Sequence, residues 1–453
     1  MIKDIIINEI DSCSDEMIRI ASDIWNNPEM GWTEKKAVEW MATSLRSHGF
    51  DTETGAYGMP TAIRAVWGEG KPVVGFAAEY DCLPGLSQKL STVHDPVVEG
   101  GIGHGCGHNL LGTGCLAACI GLKKAMEETG LKGTVIFYGC PAEEQLTGKG
   151  FMAKGGAFKE CDFTLAWHPS VTSQDTVGNH TAVEGMRVEF YGRTSHAAGG
   201  PQDGRSALDA LQLTNIGMEF LREHVVDDVR MHYTITDGGM APNIVPDFAA
   251  GKYFIRALSR DTVVDTVRRF ILCAEGAAHM TETEVKIIPL GGIYPTLQNA
   301  VIARAVQEAR AEIPVSEYTE EELKFADEIN RNVPKYKEGT KPLLNDNYPL
   351  AYNNTFGSTD YGDVEFICPG FQVRECTAAS LTPGHSWMMT ACSGSSIGMK
   401  GMLRAGKIMA DAAYKIMADP ALLAKAKAEF EAATEGRAYE CPITDEVEWP
   451  YKD

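Results

Sequence analysis

"PVVGFAAEY", Pro72 to Tyr80, is an apolar run that meets its first carboxylates only at its end, in Glu79 and the Asp81 that follows. Three other runs, rich in Val, Ile and aromatics, share its character: "TAIRAVW" (61–67), "GTVIFYGC" (133–140) and "FTLAWH" (163–168). Glu143 and Glu144 follow the third, and His168 closes the fourth. A helix is predicted at 109–129, between the second and third runs in chain order. The alternation predicts an α/β fold, a mostly parallel sheet covered by helices. Such sheets bind ligands beyond the carboxyl ends of their strands, and here those ends carry the polar chemistry.

Upstream, helices are predicted at 7–26 and 34–48, the second capped by Thr33 and closed by Gly49. Downstream the texture changes near residue 184. "VEGMRVEFYGRTSH", a helix at 204–224, "VRMHYTITDGG", "DFAAGKYFIRAL", a helix at 261–281 and "TEVKIIPL" give the order strand, helix, two strands, helix, strand. That is the order of a small ferredoxin-like α+β module with an antiparallel sheet. The expected organisation is a catalytic domain at 1–183 and 294–453, interrupted by an inserted lid or dimerisation domain at 184–293. Helices are expected at 298–313 and 395–417, and 316–342 reads as a solvated peripheral insertion.

The composition, 44% hydrophobic and 23% charged over 453 residues, is that of a folded soluble protein. A formal charge of −21 disfavours nucleic acid and anionic membrane, which are recognised through clustered Lys and Arg. A small-molecule substrate is expected instead. The opening "MIKDIIINEIDSCSDEM" lacks the continuous apolar core of a signal peptide, and no later run is long enough to span a bilayer. Twelve dispersed cysteines read as reduced thiols, so the expected location is the cytoplasm.

"GHGCGHNLLGTG" (103–114) places Cys106 and His108 in a glycine-rich loop that leads into an apolar helix. Together with Glu144, His168 and His385 of "PGHSW", they make a thiol, imidazole and carboxylate set fit for divalent metal. These ligands exceed what one tetrahedral ion can use, whereas two ions sharing a bridging ligand would use them all. Of the adjacent carboxylates, Glu144 is assigned to metal and Glu143 to general base and acid. Asp81 is a candidate acceptor for a ligand histidine, fixing its tautomer. His104 reads as a supporting or structural group, and Cys115 and Cys119 as core thiols. In the predicted insert, His196 of "RTSHAAGG" and Asn243 of "APNIVPD" could bind a developing oxyanion or a substrate carboxylate.

The segments "GHGCGHNLLGT", "GCPAEE", "WHP", "HAA", "GRSALDA", "STDYGDV" and "KGMLRAGKIMA" together resemble the di-metal amidohydrolases of the aminoacylase and carboxypeptidase clan. The likeness is to the branch with Cys-Gly-His in place of an aspartate ligand, and it spans nearly the whole chain. The resemblance implies that Cys106 bridges two divalent ions, zinc or manganese, and that His108, Glu144, His168 and His385 complete the site. It also implies that Glu143 is the base, that the insert forms a homodimer, that His196 reaches the partner's site and that Asn243 holds the substrate. The implied reaction is hydrolysis of an N-acyl amino acid amide. Among substrates p-aminobenzoyl-glutamate stands first, with indole-acetyl-amino acid conjugates and dipeptides as competitors. A free substrate carboxylate is expected; Arg256 in "YFIRAL" is a candidate partner for it, or else a member of a structural ion pair. A partner-dependent chain of a two-component enzyme is the reading from another class, and the retained Glu143 argues against it.

Overall fold

Strand β3 buries Val74, Phe76 and Ala78 against one layer and Val73 and Ala77 against another, as a strand covered on both faces must. The computed structural model describes residues 2–451. In chain order the strands are β1 (Asp51–Thr54), β2 (Ile63–Glu69), β3 (Val73–Glu79), β4 (Gly133–Cys140), β5 (Phe163–Ser170), β6 (Thr176–Val177), β7 (Ala182–Tyr191), β8 (Arg230–Asp237), β9 (Phe248–Ala257), β10 (Glu284–Ile293), β11 (Ala351–Tyr352) and β12 (Gly370–Cys376). The central sheet has the order β1-β2-β4-β3-β5-β12. From β4 to β12 the pairings are parallel, and β1 and β2 extend the sheet antiparallel.

One face is covered by α1 (Ile2–Ser12), α2 (Ser14–Asn26), α3 (Lys35–Ser47), α4 (His108–Thr129) and, later in the chain, by further helices. The next two are α5 (Gly148–Lys154), on the opposite face, and α6 (Ala207–Leu221), in the second sheet's layer. Following them are α7 (Arg260–Thr281), α8 (Ala300–Glu312), α9 (Glu320–Arg331), α10 (Tyr361–Glu365), α11 (Trp387–Ser393), α12 (Ser396–Ala418) and α13 (Pro420–Thr434). Helix α4 is buried along most of its length between the sheet, α1 and α12. Its residues are therefore apolar on all sides, and no two-sided pattern is left to read.

The second sheet is fully antiparallel, in the order β10-β7-β9-β8, and α6 and α7 cover it with their own core of Met186, Val188, Phe190, Leu211, Tyr253 and Phe270. All of it lies between Ala182 and Ile293.

Several expectations are corrected. The helix predicted at 7–26 starts at Ile2 and is two helices broken at Cys13, where the flanking Ser12 and Ser14 hydroxyls bond the carbonyls of Glu9 and Asp11. Thr33 does not cap α3: Glu34 occupies that position, and the Thr33 hydroxyl donates to Met30 O. The stretch 316–342 is not wholly solvated, because Ala326, Ile329 and Val333 join a core with Ala391 and Ile397. Strands β1 and β12 had no counterpart among the predicted elements.

A buried ion network ties α8 and α12 to β12. Arg310 bonds both oxygens of Asp175, at 2.9 and 3.0 Å, and Glu375, while Arg404 Nη1 lies 2.8 Å from both Glu375 oxygens. Removing one member leaves the others charged in a low-dielectric interior. Arg310→Met is expected to lower the unfolding free energy by about 3–5 kcal/mol, read from the shift in the urea midpoint. A change under about 1 kcal/mol would mean that the network is compensated elsewhere.

Candidate metal centre

The loops that end β3, β4 and β5 and the first turn of α4 come together at one point. Gly107, with φ of 83°, separates Cys106 from His108 and lies against Pro169, where a Cβ would stand 2.9 Å from Cγ of the proline. Only glycine fits that left-handed, crowded turn without strain, and both flanking side chains thereby reach the same site. After β4, Ala142 (φ 54°) and Leu146 (φ 58°) bracket the single turn Glu143–Gln145. His385 also has positive φ, 50°, and its backbone N–H donates to Gly105 O at 3.1 Å. Non-glycine residues in this conformation are uncommon and gather at functional sites.

Ligand atoms of Cys106, His108 and His168 all lie within 4.8 Å of one another, as do those of Cys106, Glu144 and His385. The structure thus assembles every side chain proposed as a ligand, with Cys106 common to both groups. Cys106 Sγ is 3.3 Å from His168 Nε2, and Glu144 Oε2 is 3.7 Å from His385 Nε2. His385 is exposed, whereas His108 is fully buried.

Hydrogen bonds set both imidazole tautomers for ligation. His108 Nδ1 donates to Asp81 Oδ1 at 2.8 Å, and His168 Nδ1 donates to Pro169 O at 2.8 Å, so each Nε2 lone pair faces the cluster. His108 Nε2 and Glu144 Oε1 are buried without a hydrogen-bond partner, as is Glu79 Oε2, which lies 3.3 Å from His108 Nε2. Orphaned acceptors of this kind, beside a thiol, fit divalent cations.

The electrostatics agree. Burial, reinforced by Glu79 and Asp360, pushes Glu143 well above the usual carboxyl range, and burial raises Glu144 to about 7. Burial pushes the Cys106 thiol up to about 12 and, with Arg374 and His108, takes His168 down to about 3. Burial opposes charge on His108, but Cys106 and the Asp81 hydrogen bond outweigh it and hold its imidazole well above its ordinary value. A field that favours a proton there favours a metal cation for the same reason.

Other groups had no assigned place in the sequence reading. Lys149 is fully buried between Glu79, at 2.6 Å, and Asp360, at 2.5 Å. Glu34 Oε1 accepts the Ala142 N–H at 2.8 Å and thereby holds the strained turn. The signal available for them was Glu79 at a strand end and Asp360 within "STDYGDV". His104 is buried and neutral, pushed down to about 3 by burial and His108, and it belongs to neither Cys106 group.

His196, Asn243 and Arg256 stand apart from this cluster. His196 is exposed, and its Nδ1 accepts the N–H groups of Ala198 and Gly199. Asn243 is its neighbour, since Asn243 O accepts from Ala197 N at 3.0 Å. Arg256 lies on β9 with Nη1 3.3 Å from Ser358 Oγ and the guanidinium over Phe254. No structural ion pair of Arg256 is found among the described residues.

Amide hydrolysis needs a water that can lose its proton and a carbonyl that can take up negative charge. Ion-binding groups for both, with a carboxylate to spare, define this molecule as a metal-dependent amidohydrolase. The chain belongs to peptidase family M20/M25/M40, whose sequence pattern matches residues 75–332. It is 37% identical to one of the chains of p-aminobenzoyl-glutamate hydrolase of Escherichia coli (strain K12), with 94% of each sequence covered. It is 28% identical to Xaa-Arg dipeptidase of Mus musculus, over 93% of this chain and 90% of that one. Its fold is similar to the crystal structure of a dinuclear metal-binding peptidase of family M20 from Bacillus subtilis, with a TM-score of 0.62 at 17% identity, covering 90% of this chain and 99% of the other.

Asp81 ties the centre together, so Asp81→Asn is expected to weaken divalent-ion affinity by about 10- to 100-fold. Competition against a chromophoric chelator measures this, and unchanged affinity would remove Asp81 from the role.

Proposed function

We propose that the chain hydrolyses the amide bond of an N-acyl amino acid, with p-aminobenzoyl-glutamate the first substrate to test and dipeptides and indole-acetyl-amino acid conjugates next. The observation that carries this reading is the position of Glu143, a buried carboxylate beside both Cys106 groups and a member of neither. The names of three relatives, a p-aminobenzoyl-glutamate hydrolase, an Xaa-Arg dipeptidase and an indole-3-acetyl-aspartic acid hydrolase, support it, since each denotes hydrolysis of an amino-acid conjugate or a dipeptide.

In this reading Cys106, His108 and His168 hold one divalent ion, and Cys106, Glu144 and His385 hold a second. Such ions supply Lewis acidity and lower the pKa of water. Glu143 takes the proton from the attacking water and returns it to the leaving amine, and its raised pKa suits a group that must both accept and release a proton. Asp81 and Pro169 O hold the two imidazoles with Nε2 free. The thiol favours zinc, with manganese second. The unpaired cysteines fit a reducing compartment, the cytoplasm.

The segment 184–293 acts in this reading as a lid and a homodimerisation unit. Ile216, Phe220, Tyr233, Ile235 and Phe254 expose apolar surface on it, which supports pairing of two copies. His196 and Asn243 would then serve the developing oxyanion or the substrate, His196 reaching across from the other copy. A second reading, dependence on a different partner chain, has in its favour that the Escherichia coli relative is named as one part of a multi-chain enzyme.

Glu143→Gln should lower kcat on p-aminobenzoyl-glutamate by about 10²- to 10⁴-fold while the divalent-ion content stays that of the wild type. Near-normal turnover would end the assignment of the base. Chelator-sensitive release of p-aminobenzoate by the purified chain alone would dispose of the two-component reading, and cleavage only after a second chain is added would establish it.

A further inference from the structure

A second polar feature lies beside the cluster and has no part in the chemistry above. Between the ends of β5 and β12 and the segments that lead into and out of the antiparallel sheet is a cavity of about 140 Å³, with Ser170, His180, Gln298, Asn353, Gln372 and Arg374 among its walls. A water takes up about 30 Å³ of liquid, so the space holds a carboxylate with its adjoining methylene groups.

Arg374 is the unusual wall. Three arginines meet in this part of the molecule, and two of them, Arg310 and Arg404, are paired with Asp175 and Glu375. Arg374, half-buried, has no carboxylate partner for its guanidinium among the described residues. Its Nη2 is 3.1 Å from His180 Nε2, an imidazole that burial and Arg374 itself keep neutral, pushed down to about 4. The nearest carboxylate, Asp175, is already held by Arg310 and accepts only the Arg374 backbone N–H, at 2.9 Å. Gln372 lies two residues back on the same face of β12, 4% exposed, and its Nε2 is buried with no hydrogen-bond partner. An unpaired guanidinium and an unsatisfied amide donor are both costly to withdraw from water, and one acceptor anion in the cavity would satisfy both.

The cavity is also adjacent to the reaction site. In the parallel ladder Arg374 stands opposite His168, so their side chains share a face on strands about 4.8 Å apart.

We propose that this cavity binds a carboxylate of the substrate's amino-acid half, with Arg374 as its charge partner and Gln372 as a second donor. The inference rests on the amide substrate proposed above and deepens it: the enzyme selects N-acyl amino acids for their anionic end, through Arg374 and not Arg256. A guanidinium favours a carboxylate because its paired N–H groups match both oxygens.

Glutarate, which has the carboxylates but no amide, is titrated calorimetrically into metal-loaded wild type, Arg374→Gln and Gln372→Leu, with ion content measured on the same samples as a control for His168. Arg374→Gln is expected to weaken glutarate binding about 100-fold, and Gln372→Leu about 10-fold. In kinetics, the wild-type preference in KM for p-aminobenzoyl-glutamate over its bis-carboxamide should collapse by a similar factor in Arg374→Gln, and the two mono-amides tell which carboxylate is read. Equal glutarate affinity in all three proteins, phosphate binding as tightly as glutarate, or equal loss on acid and amide substrates would overturn the proposal. Arg374-dependent glutarate binding by a wild type that cleaves none of the amides would uphold the carboxylate site and refute the proposed reaction.

Discussion

One carboxylate holds the reactive loops in register. Asp81 Oδ1 accepts the His108 Nδ1 proton at 2.8 Å, and Asp81 Oδ2 accepts the Glu144 backbone N–H at 2.9 Å. It thereby joins the end of β3 to the start of α4 and to the strained turn after β4. Helix α4 carries His108 in its first turn, and its burial between sheet and helices leaves it no freedom to shift. The position of the metal ligands is therefore fixed by packing over the whole length of α4, and Asp81 transmits that order to Glu143 and Glu144.

The same neighbourhood is overloaded with negative charge. Glu79, Asp81, Glu143, Glu144 and Asp360 are all at or near full burial, and Lys149 is the buried ammonium set among them. Burying so many carboxylates without compensation is prohibitive, and the raised pKa values of Glu143, Glu144 and Asp360 express that cost. Divalent cations relieve it directly. Lys149 has a different part: it pairs with Glu79 Oε1 and Asp360 Oδ1, and leaves Glu79 Oε2 facing His108.

Much of this was legible in the sequence because the chemistry is local to strand ends. Cys106 and His108 sit in one glycine-rich loop, and Glu143, Glu144 and His168 each follow an apolar run, so each could be placed from its own neighbourhood. What escaped depends on contacts between distant segments. Lys149 and Asp360 are 211 residues apart, and nothing around either marks a buried pair. Strand β12 begins Gly-Phe-Gln and carries Arg374 and Glu375, so its composition hides a buried strand whose Glu375 is neutralised from α8 and α12. The break at Cys13 turns on serine hydroxyls bonding within their own turn, a local competition that an apolar periodicity does not register. His196, Asn243 and Arg256 were found as motifs, but motifs on the second sheet carry no information on how that sheet faces the cluster.

The site has opposite electrical characters on its two sides. Toward β3 and β4 the strand ends present carboxylates, and toward β12 they meet guanidinium groups, two of them neutralised and one, Arg374, left open to a cavity. A chain with a net charge of −21 repels an anionic substrate at long range, so attraction must come from a local, partly desolvated cation. Placing that cation opposite His168 orients the substrate as well as holding it. An N-acyl amino acid whose carboxylate is drawn toward β12 presents its amide to the cluster, and the reverse orientation would force its anion against Glu79 and Glu143. Polarity built into the ends of adjacent strands thus selects which way round the amide lies.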